Sequence, residues 1–274
     1  MMCPRPARGF ALLLVLCVAS TAFAQRRNTG FGRSADDWCS DARDGDGATS
    51  CDVREAAIGA AGTIAIDAGR NGGITVRGWD RGDAMVRARV VAHAETAAEA
   101  RRIASEVRLD TSAGVRADGP APSGDGDQGW SVSYEVSVPR NAMLTLAANN
   151  GGIVIEGFGG TATFHTRNGG ISLRDVSGDI KGETTNGGVN VDLGGDRWDG
   201  AGLDVTTRNG GINIRMPEHY SAELEVGTTH GRLNIGVPIT VQGSIGRSLT
   251  TVLGAGGARL RAVTTNGGVS VRPR

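Results

Sequence analysis

Asn-Gly-Gly followed by a β-branched residue occurs six times in this chain, at Asn71, Asn150, Asn168, Asn186, Asn209 and Asn266, and the variant His230-Gly231-Arg232-Leu233 fills a gap before the last copy. The intervals are 18 from Asn150 to Asn168, 18 to Asn186, 23 to Asn209, 21 to His230 and 36, twice 18, to Asn266. Recurrence at a fixed period with insertions is the signature of a repeat architecture. Aligned on the asparagine, Ile74 and Val76, Ile153 and Ile155, Ile171 and Leu173, Val189 and Val191, Ile212 and Ile214, Leu233 and Ile235, and Val269 and Val271 stand three and five places on. Mostly polar residues separate them, which is the period of a strand with one face buried. Six and four places before the turn a second apolar pair recurs, as in Leu144 and Leu146 or Leu203 and Val205. Each copy therefore reads as strand, turn, strand.

Two architectures use this pattern. Asn-Gly between alternating strands is a strong hairpin signal, because both turn residues tolerate positive φ. In a solenoid, by contrast, each copy is one rung and equivalent positions stack about 4.8 Å apart. Stacking explains why residue types repeat column by column, including Thr166, Thr184, Thr207, Thr228 and Thr264 two places before the turn. A hairpin series needs no such columns. The expected fold class is therefore all-β, a β-solenoid (β-helix-like) built on Asn-Gly-Gly turns, over residues 56–274. One amphipathic helix is expected about 95–109, with Ala98, Ile103, Ala104 and Val107 on one face. A polar Pro/Gly/Asp loop follows at about 118–129.

The N-terminus reads as a secretory signal peptide over residues 1–24. Arg5 and Arg8 precede an apolar run from Phe10 to Val18, and Ala22-Phe23-Ala24 supplies a small-x-small cleavage site before Gln25. The run is shorter than the roughly 20 residues of a membrane span. A lipoprotein reading at Cys17 founders on the bulky Leu16 before it. Removing that segment leaves 27 basic residues (29 minus two) against 29 acidic ones. A balance so near neutrality gives no reason to expect nucleic-acid or anionic-membrane binding. An exported protein, periplasmic or extracellular, with no stable membrane insertion after cleavage, is the expectation.

In residues 25–55, a polar N-terminal segment, Cys39 and Cys51 are the cysteines that remain after cleavage, in a compartment where disulfides persist. They are expected to pair across a polar, glycine-containing loop. Asp41, Asp44 and Asp46 in that loop could suggest calcium, but the terminal glutamate of an EF-hand and the nonapeptide calcium repeat are both missing. His93, His165, His219 and His230 are spread out, without a second histidine or cysteine at metal-ligand spacing. No metal, no cofactor and no catalytic residue is expected. A Gly-x-Ser-x-Gly elbow is absent from the sequence, and the polar positions beside the turns are Thr, Ser and Asn rather than the facing carboxylates of a glycosidase. The threonine column shares the parity of the buried positions, so it does not form the outward rows of an ice-binding surface.

Taken together, Cys51-Asp52-Val53-Arg54-Glu55, the Ser131 to Pro139 strand, Gly211-Ile212-Asn213 and Thr264-Thr265-Asn266-Gly267-Gly268-Val269 resemble the glycine-rich bacterial adhesin-like family of the head GIN, autotransporter-adhesin type. The resemblance spans roughly Cys51 to Arg274. It implies a β-solenoid domain of unknown function and supplies no catalytic residues to carry over. The expected function is a non-enzymatic adhesin-like module that contacts a surface glycan or protein. The alternatives are a glycan-processing enzyme on a β-helix scaffold and an envelope accessory that binds another protein. Because a stack has open ends, the C-terminal rung, Val269 to Val271, is expected either to pack against the chain's own insertion or to be the contact surface for a partner or a second copy, by self-association.

Overall fold

The computed structural model of the protein describes residues 34–43, 47–121, 128–239 and 246–274. The expected signal peptide, residues Asp44 and Asp46, and the middle of the expected loop at 118–129 lie outside the described residues.

After a short helix, α1 (Ala35–Cys39), the chain forms β1 (Ala48–Ile58), β2 (Thr63–Asp67), β3 (Ile74–Trp79), β4 (Ala84–Ala94), α2 (Ala97–Glu106), β5 (Arg108–Asp110), β6 (Arg116–Asp118) and β7 (Gly129–Pro139). Strand pairs follow: β8 (Met143–Asn150) with β9 (Ile153–Glu156), β10 (Thr161–Asn168) with β11 (Ile171–Arg174), β12 (Asp179–Asn186) with β13 (Val189–Asp192), and β14 (Gly202–Asn209) with β15 (Ile212–Met216). The last are β16 (Ala222–His230) with β17 (Leu233–Ile235), the single strand β18 (Ser248–Leu253), and β19 (Arg259–Asn266) with β20 (Val269–Pro273).

The two strands beside each Asn-Gly-Gly turn enter different sheets. One sheet runs β1-β4-β7-β3-β9-β11-β13-β15-β20-β17 and the other β18-β16-β19-β14-β12-β10-β8-β2. The turn is thus a corner between sheets and not a hairpin. Successive rungs pair in parallel and in register: Ile171 lies between Ile153 and Val189, and Asn168 between Asn150 and Asn186. The arrangement is all-β with mixed sheets. The columns read from the sequence as inward are buried between the sheets from Ile74 and Val76 through Val269 and Val271, with Leu233 and Ile235 of the edge rung half-buried. Gly182 belongs to this inward set because the Phe164 ring of the neighbouring rung fills its place; a Cβ there would lie 2.0 Å from the Phe164 ring.

An Asn-Gly-Gly turn suggests glycines held at backbone angles closed to other residues, and Gly72 and Gly267 of the turn column do have positive φ, of 153° and 154°. Gly187 is not among the positive-φ glycines. Its constraint is contact, since a Cβ would sit 2.0 Å from the carbonyl oxygen of Gly169 in the adjacent rung. At Gly187 rung spacing, and not turn geometry, excludes a side chain.

At the N-terminal end the ten-stranded sheet outruns its partner, adding β7, β4 and β1 beyond β3. Helix α2 covers the exposed inner face. Its buried residues are Ala100, Ile103 and Ala104, followed by Val107, an i, i+3, i+4, i+7 stripe. Ala98, expected on this face, falls outside the stripe and is exposed. Arg54 of β1 donates to the Ala104 carbonyl at 2.7 Å and to that of Val107, satisfying the end of the helix. On the opposite face α1 lies over β1, held by the Cys39–Cys51 disulfide. Beneath it Arg87 is buried between Glu55, at 3.0 Å, and Glu135, at 3.5 Å, with its guanidinium 5.3 Å from the Trp38 ring centre.

At the far end the C-terminal rung is enclosed by the chain itself, and the alternative of an open contact surface there is corrected. Strands β19 and β20 are not last in space: β19 lies between β14 and β16, and β20 between β15 and β17. Val269 and Val271 are paired on both sides and buried. They offer no open edge for self-association. The edges at this end are β17 and β18, the latter antiparallel to β16.

Candidate functional site

The repeat builds two side-chain ladders along one corner of the stack. Each asparagine amide donates to the side-chain carbonyl of the rung before it, from Asn150 to Asn71 (3.0 Å), Asn168 to Asn150 (2.8 Å), Asn186 to Asn168 (2.8 Å), Asn209 to Asn186 (2.8 Å) and Asn266 to Asn209 (2.7 Å). His230 occupies the next position, opposite Asn266. The ladder has a direction, and at its N-terminal end the Asn71 carbonyl is used while its amide donates to no described residue. Behind it, the buried threonines tie each rung to the preceding turn. Thr166, Thr184, Thr207, Thr264 and Thr228 donate to the carbonyls of Gly151, Gly169, Gly187, Gly210 and Gly267, at 2.7–2.8 Å.

The outward faces are polar. On the ten-stranded sheet Ser172, Asn190, Asn213 and Ser270 form one row, and Arg174, Asp192, Arg215 and Arg272 form the next, around a shallow groove of about 380 Å³. Opposite charges pair along much of it: Glu156 holds Arg77 at 3.2 Å and Arg174 at 2.5 Å, while Asp192 holds Arg215 at 2.7 Å and Arg274 at 3.3 Å. On the other sheet Arg261 bridges Asp204, at 2.7 Å, and Glu225, at 3.4 Å, and Arg259 also reaches Glu225. Exposed pairs of this kind contribute about 0–1 kcal/mol each. Their consequence is chiefly that these carboxylates are each engaged by arginines and do not face one another across an open cleft.

A third feature was not read from the sequence. Where β7 overhangs β2, a cavity of about 420 Å³ opens beside the first turn, lined by Arg70, Asn71, Asn150, His93, Trp130 and Tyr134 among others. Trp130 and Tyr134 sit on the inward side of β7. The Trp130 indole N–H is fixed at 2.8 Å to the Pro120 carbonyl, and Gly119 lies close against the ring. Tyr134 is buried, and that burial first, then the negative charges of Asp67 and Asp118, pushes its phenol well above the ordinary tyrosine value, so it stays a neutral hydroxyl. Arg70 and Trp130 lie sixty positions apart in the chain. Their meeting depends on the β4–β7 insertion, for which the repeat gives no register.

The histidines are not brought together: His165 is exposed on the outer face of β10, His93 lies at the cavity and His230 on the corner. No group of three or more His, Cys, Asp or Glu side chains suited to a metal ion occurs among the described residues. No helix among the described residues is long and apolar enough to cross a membrane.

A stack of parallel rungs with polar outward faces, covered at one end by a helix, defines the class as an all-β, solenoid-like domain. The model of the Toastrack DUF4097 family matches residues 131–272, more than half of the chain, and the protein belongs to that family. This replaces the head GIN assignment. The tripeptide Gly211-Ile212-Asn213 arises wherever the second turn glycine precedes an inward isoleucine and an outward asparagine. Among curated proteins there is no match. A candidate cell adhesion protein from Clostridium sporogenes ATCC 15579 is similar at 8% identity and a TM-score of 0.46, over 82% of this chain and 100% of that one. Candidate adhesins from Bacteroides fragilis NCTC 9343 and Parabacteroides distasonis ATCC 8503 align over the same 82%, covering 97% and 98% of their own chains, at 9% and 10% identity and TM-scores of 0.36 and 0.26.

Proposed function

We propose that the protein is an exported, non-enzymatic adhesin-like module that contacts a surface glycan or protein through the polar faces and corner of its stack. The observation that supports this reading is the construction of those surfaces. Short amides and hydroxyls are repeated at rung spacing on a rigid scaffold, where several neighbouring units of a ligand can be met at once. Each contact is weak, and repetition raises avidity without any single deep site. Glu156, Asp192, Asp204 and Glu225 on these faces are held by arginines, which supports binding over the acid and base roles of a glycosidase for those four carboxylates. Export follows from residues 1–24, with cleavage after Ala24.

The test is retention of the protein on an array of bacterial and host glycans and on envelope proteins, with the bound glycans assayed for cleavage. Retention without product is the expected result. Release of shortened glycans, or no retention on either kind of surface, overturns the reading. N-terminal sequencing of the exported protein should begin at Gln25.

A further inference from the structure

The geometry points to the cavity beside the first turn as a binding site for a single carboxylate-bearing sugar residue. This deepens the adhesin-like reading and rests on it. The lining is rich in donors and poor in acceptors. The Asn ladder runs toward this end, so Asn71 is the last acceptor and its amide hydrogens have no partner among the described residues. Arg70, next to it, makes no ion pair among the described residues, as Arg167 and Arg208 before the later turns make none, but Arg70 alone of the three lines this cavity, while Arg174, Arg215 and Arg261 on the outer faces are engaged by carboxylates. No Asp or Glu is among the described residues that line the cavity; Asp67 and Asp118, whose charges reach Tyr134, are the chain neighbours of the lining residues Ala68 and Ala117. A guanidinium beside a primary amide presents a planar set of N–H groups, which matches a carboxylate with its neighbouring hydroxyls.

Two further features select a sugar ring. Trp130, half-buried and anchored through its indole N–H, and Tyr134 supply an aromatic wall against which the C–H face of a pyranose can lie. The volume, about 420 Å³, falls in the range of small-molecule sites and suits one sugar unit of a longer chain. Because the cavity opens at the end of the Asn corner, the rest of a bound polymer can continue along the ladder.

Calorimetric titration of the full protein with an oligosaccharide ending in a uronic acid, beside the same oligosaccharide ending in the neutral hexose, tests the site. The acidic ligand should bind about tenfold or more tightly than the neutral one, and Arg70→Ala should erase that difference. Arg70 is exposed, so this variant should melt like the wild type, which separates loss of binding from loss of fold. Trp130→Leu should weaken both ligands, and a melting curve on that variant shows whether it remains folded. No heat with the acidic sugar at millimolar concentration overturns the site, as does equal binding by Arg70→Ala. Equal affinity for a short peptide with a free C-terminal carboxylate would also overturn the assignment to sugar. If wild-type protein is still retained on the array while these fail, the pocket falls and the adhesin-like reading stands; if retention fails as well, both fall.

Discussion

Thr264 donates its hydroxyl to the carbonyl of Gly210 at 2.8 Å, while Thr228, which comes earlier in the chain, donates to Gly267. The two bonds show that the rung of β19 and β20 lies between two rungs that precede it in the chain. Strands β16 and β17 pair with β19 and β20 and not with β14 and β15, the rung before them in the chain.

A chain ending at Ala258 should therefore not behave as a solenoid one rung shorter. Removing β19 and β20 would strip β14, β15 and β16 of one neighbour each and β17 of the one partner it has among the described strands. The expected outcome is loss of a single cooperative urea transition, followed by circular dichroism. The milder variant Thr264→Val, which leaves the Gly210 carbonyl without this donor, should cost about 1–3 kcal/mol with the fold retained. A truncated chain that melts cooperatively near the wild-type midpoint would contradict the insertion.

The glycine column should be intolerant for steric reasons. In Gly187→Ala the new Cβ would meet the Gly169 carbonyl at 2.0 Å, a backbone atom fixed by its own sheet. Forcing the rungs apart should cost about 1–3 kcal/mol or more. Gly59, with open space around it and no positive φ, is the matched control and should accept Ala within about 0.5 kcal/mol. Equal melting of the two variants would remove close rung contact as the cause.

The Cys39–Cys51 bond closes a loop with a sequence separation of 12. In the chain-entropy description a loop of this size stabilises by about 3 kcal/mol. Its effect should be local, because it holds α1 over the buried Arg87–Glu135 pair. The intact chain should weigh two hydrogens less than the dithiol. Reduction should lower the urea midpoint and raise amide exchange in β1 and β4 before the rungs. Free-thiol labelling of both cysteines in the exported protein would refute the pairing.

The chain has two tyrosines, Tyr134 and Tyr220, and both are buried. Burial, and then the nearby Asp196, pushes the Tyr220 phenol up to about 12, and Tyr134 is raised further for the reasons given above. Since both folded-state values exceed the ordinary 10.0, ionisation favours the unfolded chain. Stability is retained below about pH 10 and falls as pH rises toward the folded-state values. Tyrosinate absorbance should be nearly absent at pH 10 and appear together with unfolding; independent titration near pH 10 with the fold intact would show exposed phenols.

The rung was legible in the sequence because its cause is local and repeated. Asn, Gly and alternating apolar residues at an 18-residue interval specify a corner between two short strands, and stacking favours the same residue type at each level. Parity alone placed Ile171, Val189 and Ile212 inside and Ser172, Asn190 and Asn213 outside. It also placed the hydroxyls of Thr184 and Thr207 on the inward side, although not the glycine carbonyls that they reach. Only the tertiary structure decided the order in which rungs stack. All rungs present nearly the same edge, so the sequence pattern is degenerate with respect to neighbours, and chain order is merely the default. What broke it is the strand β18, which turns back antiparallel on β16 and delivers β19 to its place between β14 and β16. The cavity depends likewise on an insertion without the repeat's register, which brings Trp130 to Arg70 and Asn71. Periodicity determines a rung; the connections between rungs, which carry no period, determine the ends and the pocket.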